Sequence, residues 1–129
     1  MPGDEDPEVL KAVLAVAAAD GTMLRSERGV FQELARRVGL DEASLQQAIR
    51  QAGDSPQMRD ELFKTRLSDP KRAMRLLVAT ARIDGEISWE ERELLVDIST
   101  KLGIGTDEFT QVYQEGIAAA DELRKRTGR

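Results

Sequence analysis

The chain has 129 residues, a net charge of −5, 40% hydrophobic residues and only 4% aromatic residues. These values predict one soluble domain with an aliphatic core, and the acidic balance disfavours a dedicated nucleic-acid binder. Because there is no Cys and no His, disulfides, thiolate or imidazole metal sites, cysteine nucleophiles and Ser-His-Asp triads are excluded.

Helix signals follow one another along the whole chain, with no convincing alternating strand between them. Helix starts are predicted where a cap residue or a proline precedes an apolar periodic segment, and helix ends where glycine follows one. The predicted starts are Asp6-Pro7, Ser26, Asp41, Ser55-Pro56, Asp69-Pro70, Ser88 with a capping box to Glu91, and Thr106. The predicted ends are Asp20-Gly21, Gly39, Asp84-Gly85 and Gly103, with fraying from Leu123. We therefore expect a compact all-α bundle of about seven helices.

An acidic phrase occurs twice in the chain, at an offset of 64 residues. Residues 17–28 return as residues 81–92, with an Asp-Gly pair and a Glu-Arg pair unchanged, and no gap is needed around them. The repeat predicts an internal duplication within a single domain. The predicted bounds are 9–49 and 73–113 for the two units, 1–129 for the domain and 123–129 for a basic C-terminal tail.

The duplicated phrase has the residue spacing of the back half of an EF-hand loop. A true EF-hand is rejected, because the positions before each Asp continue an apolar helix and supply too few oxygen ligands. The acids also have a purely structural interpretation. In that interpretation Gly21 and Gly85 end a helix with positive φ, Glu27 and Glu91 favour the next helix's N-terminal dipole, and neighbouring arginines clamp a carboxylate.

Two features of the second copy are interpreted as surface properties. Glu90, Glu91 and Glu93, together with Asp97, are expected to form a solvated acidic face. Trp89, the only tryptophan, is a candidate partner-binding residue because tryptophan is enriched in binding hot spots. Half-buried packing of Trp89 against its neighbours is the favoured alternative.

The two Asp-Gly-x-apolar-x-x-x-Glu-Arg phrases, each followed by an apolar helix and Gly39 or Gly103, resemble the TerB-like family of all-α domains. The resemblance covers about residues 9–113. It implies a link to tellurite resistance and related stress-response operons, and acidic residues suspected of binding a divalent metal. By position, the candidate metal ligands in this chain are Asp20, Glu27, Asp84 and Glu91. Hard oxygen ligands favour Ca²⁺, Mg²⁺ or Mn²⁺, and the second copy is preferred because Glu86 and Glu90 add oxygens.

The expected function is a binding or scaffold module of a bacterial stress-response system, without catalytic or cofactor-binding residues. Its expected partners are other proteins, including membrane-associated stress-response or chaperone-linked components. Two alternatives stay open: a metal-dependent hydrolase that uses carboxylates alone, and a purely structural helical adaptor. With an acidic N-terminus and no apolar run long enough for a membrane span, cytoplasm is the expected location, and a peripheral position at the inner membrane stays open.

Overall fold

The architecture is all-α, as the sequence predicts. The computed structural model describes residues 2–19, 25–54, 56–65, 67–83 and 85–126. Within these residues there are seven helices and no strand. They are α1 Pro2–Ala19, α2 Arg25–Arg37, α3 Glu42–Asp54, α4 Pro56–Thr65, α5 Pro70–Ile83, α6 Trp89–Lys101 and α7 Thr106–Arg126.

Three of the predicted helix starts are confirmed by side chains that cap them. Asp41 accepts a hydrogen bond from the Ser44 amide at 3.0 Å, and Asp69 accepts one from the Arg72 amide at 3.1 Å. The capping box at α6 has both of its hydrogen bonds. The Ser88 hydroxyl accepts one from the Glu91 amide, and the Glu91 carboxylate accepts one from the Ser88 amide.

Three predicted boundaries are wrong. Helix α1 begins at Pro2, which provides the same first-position signal as Pro7. Thr106 is the first residue of α7 rather than its cap, because the Gly105 amide donates to the Glu108 carboxylate at 3.1 Å. Helix α7 also continues to Arg126 instead of fraying from Leu123, and the basic residues of its last turn are favoured by the helix dipole.

Glycines end three helices as predicted. Gly39 and Gly103 have φ of 82° and 83°, and Gly85 has φ of 146°. Positive φ at these positions satisfies helix-end carbonyls at little steric cost to glycine. Gly21, for which positive φ is also predicted, lies outside the described residues.

The main helix pair of the first predicted unit has a counterpart in the second. Helix α1 packs mainly against α3, and α5 packs mainly against α7. Like helices also contact each other between the units, α1 with α5 and α2 with α6. Contacts of this kind are expected if the two units are related by a two-fold axis. Ion pairs from Arg75 to Glu115 and from Arg82 to Asp121 show that α5 and α7 run parallel.

The core between these helices is aliphatic, as the composition predicts. Leu14, Leu34, Met74, Leu77 and Leu95 are completely buried. Full burial of each such side chain stabilises the folded chain by about 1.5–3 kcal/mol.

The α5–α7 contact is close enough to need a glycine. A Cβ built on Gly116 would lie 2.7 Å from Cγ1 of Val78 and 3.1 Å from the carbonyl oxygen of Arg75. The residue 64 positions earlier is Ala52 of α3, which is fully buried. The two units therefore differ in how closely their paired helices approach.

Replacement of Gly116 by Ala should lower the free energy of unfolding by about 1–2 kcal/mol, because overpacking outweighs the gain in helix propensity. Gly29→Ala is the matched control. Gly29 also lies within a helix, but a Cβ there would meet nothing within 4 Å, so this variant should be more stable by about 0.5–1 kcal/mol. Urea unfolding followed by far-UV circular dichroism measures both. Two stabilised variants would contradict the close approach.

Candidate functional site

Arg37, the last residue of α2, reaches across the domain into the loop between α5 and α6. Its Nε donates to the carbonyl oxygen of Ala81 at 2.8 Å, and its Nη2 donates to the carbonyl oxygen of Glu86 at 2.8 Å. Its Nη1 lies 2.8 and 2.9 Å from the two carboxylate oxygens of Glu91. One guanidinium therefore joins the end of α2 to the end of α5, the following loop and the first turn of α6.

Glu91 is the carboxylate at the centre of this arrangement. In addition to its bonds with Arg37, its Oε1 accepts a hydrogen bond from the backbone N–H of Ser88 at 2.9 Å. The side chains of Arg37 and Glu91 are only 13% and 7% exposed. The expectation of a solvated acidic face is therefore wrong for Glu91, while Glu90 and Glu93 are exposed as expected.

A related contact lies at the equivalent position of the other unit. Arg37 and Lys101 are 64 residues apart, and so are Ala81 and Ala17. The Lys101 ammonium donates to the carbonyl oxygen of Ala17 at 3.1 Å, just as Arg37 donates to Ala81. Both carbonyls belong to the last turn of a helix, where no intrahelical partner is available. Each unit therefore provides a cation that caps a helix of the other.

Only one of the four predicted metal ligands has a described side chain. Asp20, Asp84 and the side chain of Glu27 lie outside the described residues. Glu91 is described, and its oxygens are engaged by Arg37 and the Ser88 amide. Among the described residues, no three Asp or Glu side chains group in a way that would hold a metal ion.

In the structural interpretation, the arginine that follows each Glu of the phrase clamps a carboxylate. In the second copy this is Arg92, which instead lies over the rings of Phe109 and Tyr113, 5.9 and 5.4 Å from their centroids. The clamp comes from Arg37, 54 residues before Glu91. The sequence offered one signal for it, namely a cation at equivalent positions of both units.

Trp89 is 70% exposed, so the favoured expectation of half-buried packing is wrong. As the first residue of α6, it directly follows the loop that Arg37 holds. Its side chain is therefore exposed to solvent at the start of α6, next to a loop that Arg37 holds by hydrogen bonds.

Exposed apolar side chains lie at this same end of the molecule. Ile83 and Leu123 are 43% and 48% exposed, and together with Trp89 they are the large exposed hydrophobic residues among those described. Ile83 ends α5, and Leu123 lies in the last turns of the parallel helix α7. Arg82 connects the two helices and the loop, with ion pairs to Asp121 at 3.3 Å and Glu86 at 3.9 Å. We define the Trp89 surface as Ile83, Glu86, Trp89, Glu90, Glu93 and Leu123.

Comparison with known families assigns the chain. The family model described as tellurite resistance protein TerB matches residues 6–114. The chain belongs to this family. The resemblance found in the duplicated phrase is thus confirmed, and with it the all-α fold. Searches of curated proteins and of solved structures give no match.

Family membership covers both units and most of the Trp89 surface. The matched residues include Arg37, Glu91 and Trp89, whereas the last turn of α7 lies beyond them. None of the helices in the described part of the chain has the length and apolar character needed to cross a membrane.

Replacement of Arg37 by Met should lower the free energy of unfolding by about 3–5 kcal/mol, because it leaves the Glu91 carboxylate buried without its counter-charge. Arg36→Met is the matched control, since Arg36 is the preceding residue, is 76% exposed and pairs with Glu33 on the surface. That change should cost less than about 1 kcal/mol. Urea unfolding measures both values, and equal losses in the two variants would contradict the clamp.

Proposed function

We propose that this TerB-family chain is a non-enzymatic protein-binding module of a bacterial stress-response system, of the tellurite-resistance or chaperone-linked type. Its contact site is the Trp89 surface. The observation that supports the proposal most directly is the 70% exposure of Trp89, together with the exposure of Ile83 and Leu123 at the same end of the molecule. Tryptophan is enriched in binding hot spots, where it fills a pocket of the partner.

The arrangement of Arg37 favours binding over catalysis at this surface. The loop between α5 and α6 is held at the carbonyl oxygens of Ala81 and Glu86 and at the Glu91 carboxylate. A contact residue whose support is already ordered loses less conformational entropy when it binds. A fixed loop before Trp89 therefore suits a docking surface.

The chemistry of the remaining polar groups supports the same proposal. Burial raises the pKa of Tyr113 above its ordinary value, which the charges of Arg92 and Arg82 oppose only in part. Tyr113 therefore stays protonated at neutral pH and is a poor general base. The Glu91 carboxylate, in turn, is already bonded to Arg37.

A photo-crosslinking amino acid introduced at Glu90, in a host cell that encodes the chain, should give a specific adduct with a partner protein. The same amino acid at Gln51, which is exposed on α3, provides the control. Adding Trp89→Ala should abolish the adduct at position 90 without changing the circular dichroism spectrum, because the side chain is mostly outside the core.

The biological part of the proposal is tested in the same strains. Cells that carry only the Trp89→Ala chain should lose resistance to tellurite or oxidative stress as cells lacking the gene do. Adducts that are identical at positions 90 and 51, or full resistance with Trp89→Ala, would contradict the proposal.

Divalent-cation binding is a second candidate function, favoured by one observation. The Glu86 carbonyl oxygen and both Glu91 carboxylate oxygens already converge on a cation, the Arg37 guanidinium. A main-chain carbonyl and a bidentate Glu are also ligand types of an EF-hand loop. A metal ion at Glu91 would have to displace Arg37, so binding to the unaltered chain should be weak.

Calorimetric titration with Ca²⁺, Mg²⁺ and Mn²⁺ tests this candidate. We expect a Kd of roughly 10⁻⁴–10⁻³ M for the unaltered chain, because the metal competes with Arg37. Binding should be tighter in Arg37→Met, which leaves Glu91 without a counter-ion, and lost in Asp84→Asn, Glu91→Gln. Equal heats in all three proteins, or none in any, would assign the acids to a structural role alone.

A further inference from the structure

We propose that the Trp89 surface binds a second copy of this chain about a two-fold axis. The inference rests on the proposed function, since it names a partner for the same surface. It is based on the apolar residues of this surface and on two oppositely charged groups beside them.

The first observation is that the end of α7 projects. At 1.5 Å per residue, α7 with 21 residues is about 31 Å long, whereas the parallel helix α5 has 14 residues and is about 21 Å long. The ion pair between Arg82 and Asp121 marks where α5 ends beside α7. All residues from 122 to 126 are exposed, so the last turn of α7, with Leu123, extends past the bundle.

The second observation is the separation of charge along this end. The side chain of Glu86 is 93% exposed, and Glu90 and Glu93 are exposed as well. These carboxylates lie around Trp89, at the start of α6. The projecting turn of α7 is basic, with Arg124, Lys125 and Arg126. One end of the molecule therefore presents exposed carboxylates, exposed apolar side chains and a basic helix turn.

Such a surface is complementary to its own copy. In a two-fold interface each contact occurs twice. If one residue of the first copy contacts a second residue of the other copy, the same two residues also make contact with the roles of the copies exchanged. The basic turn of one copy can then lie against the acidic group of the other, and the apolar residues meet between the two charge contacts. Within one chain Arg126 forms a surface ion pair to Glu122 at 3.8 Å, and ion pairs between exposed groups contribute little to stability.

A second copy accounts for more of this surface than a foreign basic segment does. A foreign basic helix would neutralise Glu86, Glu90 and Glu93, but it would leave Leu123 and the basic turn uncovered. A second copy covers both groups with one interface, and paired two-fold contacts are the commonest form of homo-oligomer.

The experiment uses the full chain and its only tryptophan. Sedimentation equilibrium at protein concentrations from about 1 to about 500 µM should show a monomer–dimer equilibrium in which the dimer predominates at the highest concentration. Trp89 emission should shift to shorter wavelength over the same range, because the indole leaves water.

Charge reversal then tests the pairing. Lys125→Glu, Arg126→Glu should weaken the dimer about ten-fold or more, and so should Glu86→Lys, Glu90→Lys, because each variant places like charges opposite one another. An equimolar mixture of these two variants should restore the dimer, since each contact then pairs opposite charges. The control is Arg50→Glu, Arg72→Glu, which changes the net charge by the same amount as the first variant. Both residues are exposed and lie outside this surface, so the control should dimerise like the unaltered chain.

A monomer at every concentration, or a mixture that fails to dimerise, would overturn the two-fold inference. If position 90 still crosslinks to another protein in that case, the proposed function stands and only the identity of the partner is wrong. A monomer that also gives no adduct at position 90 would overturn both.

Discussion

The contact on which the arrangement depends is the Arg37 guanidinium in the α5–α6 loop. It satisfies a helix-end carbonyl at Ala81, holds the loop at the Glu86 carbonyl and neutralises the buried Glu91 carboxylate. These groups belong to the second predicted unit, whereas Arg37 belongs to the first. The clamp thus joins the two units and fixes the start of α6. Trp89 is the first residue of this helix, so the clamp holds the segment that carries the proposed contact residue.

The clamp also changes the meaning of the acidic phrase. Its spacing suggests metal ligands, yet the Glu of the second copy forms an ion pair within the protein. A guanidinium suits this place because it directs several N–H donors in one plane, so it can bind a carboxylate and two carbonyls at once. Lys101, at the equivalent position, binds the Ala17 carbonyl through a single ammonium group. Two cations 64 residues apart therefore have the same role in the structure, while one is an arginine and the other a lysine.

Local features of this fold could be predicted from the sequence, whereas its long-range contacts could not. The capping box at Ser88 and the glycine ends at Gly39 and Gly103 depend on residues within a few positions, so the pattern alone indicates them. The Arg37–Glu91 pair spans 54 residues, and only the packing of α2 against α6 brings its members together. For the same reason, the charged run around Glu91 suggested a solvated face. The exposure of Trp89 is equally a tertiary property, because a helix's first turn can face either the core or water.

A double-mutant cycle between Arg37 and Glu91 tests the clamp most directly. The free energy of unfolding is measured for the unaltered chain, Arg37→Met, Glu91→Gln and the double variant, with circular dichroism as the signal. The double variant should be more stable than the sum of the single losses implies, by about 2 kcal/mol, since the residues interact directly. Removing both charges also avoids leaving one buried without a partner. Strictly additive losses would contradict the account, because they would mean that the two side chains stabilise the domain independently.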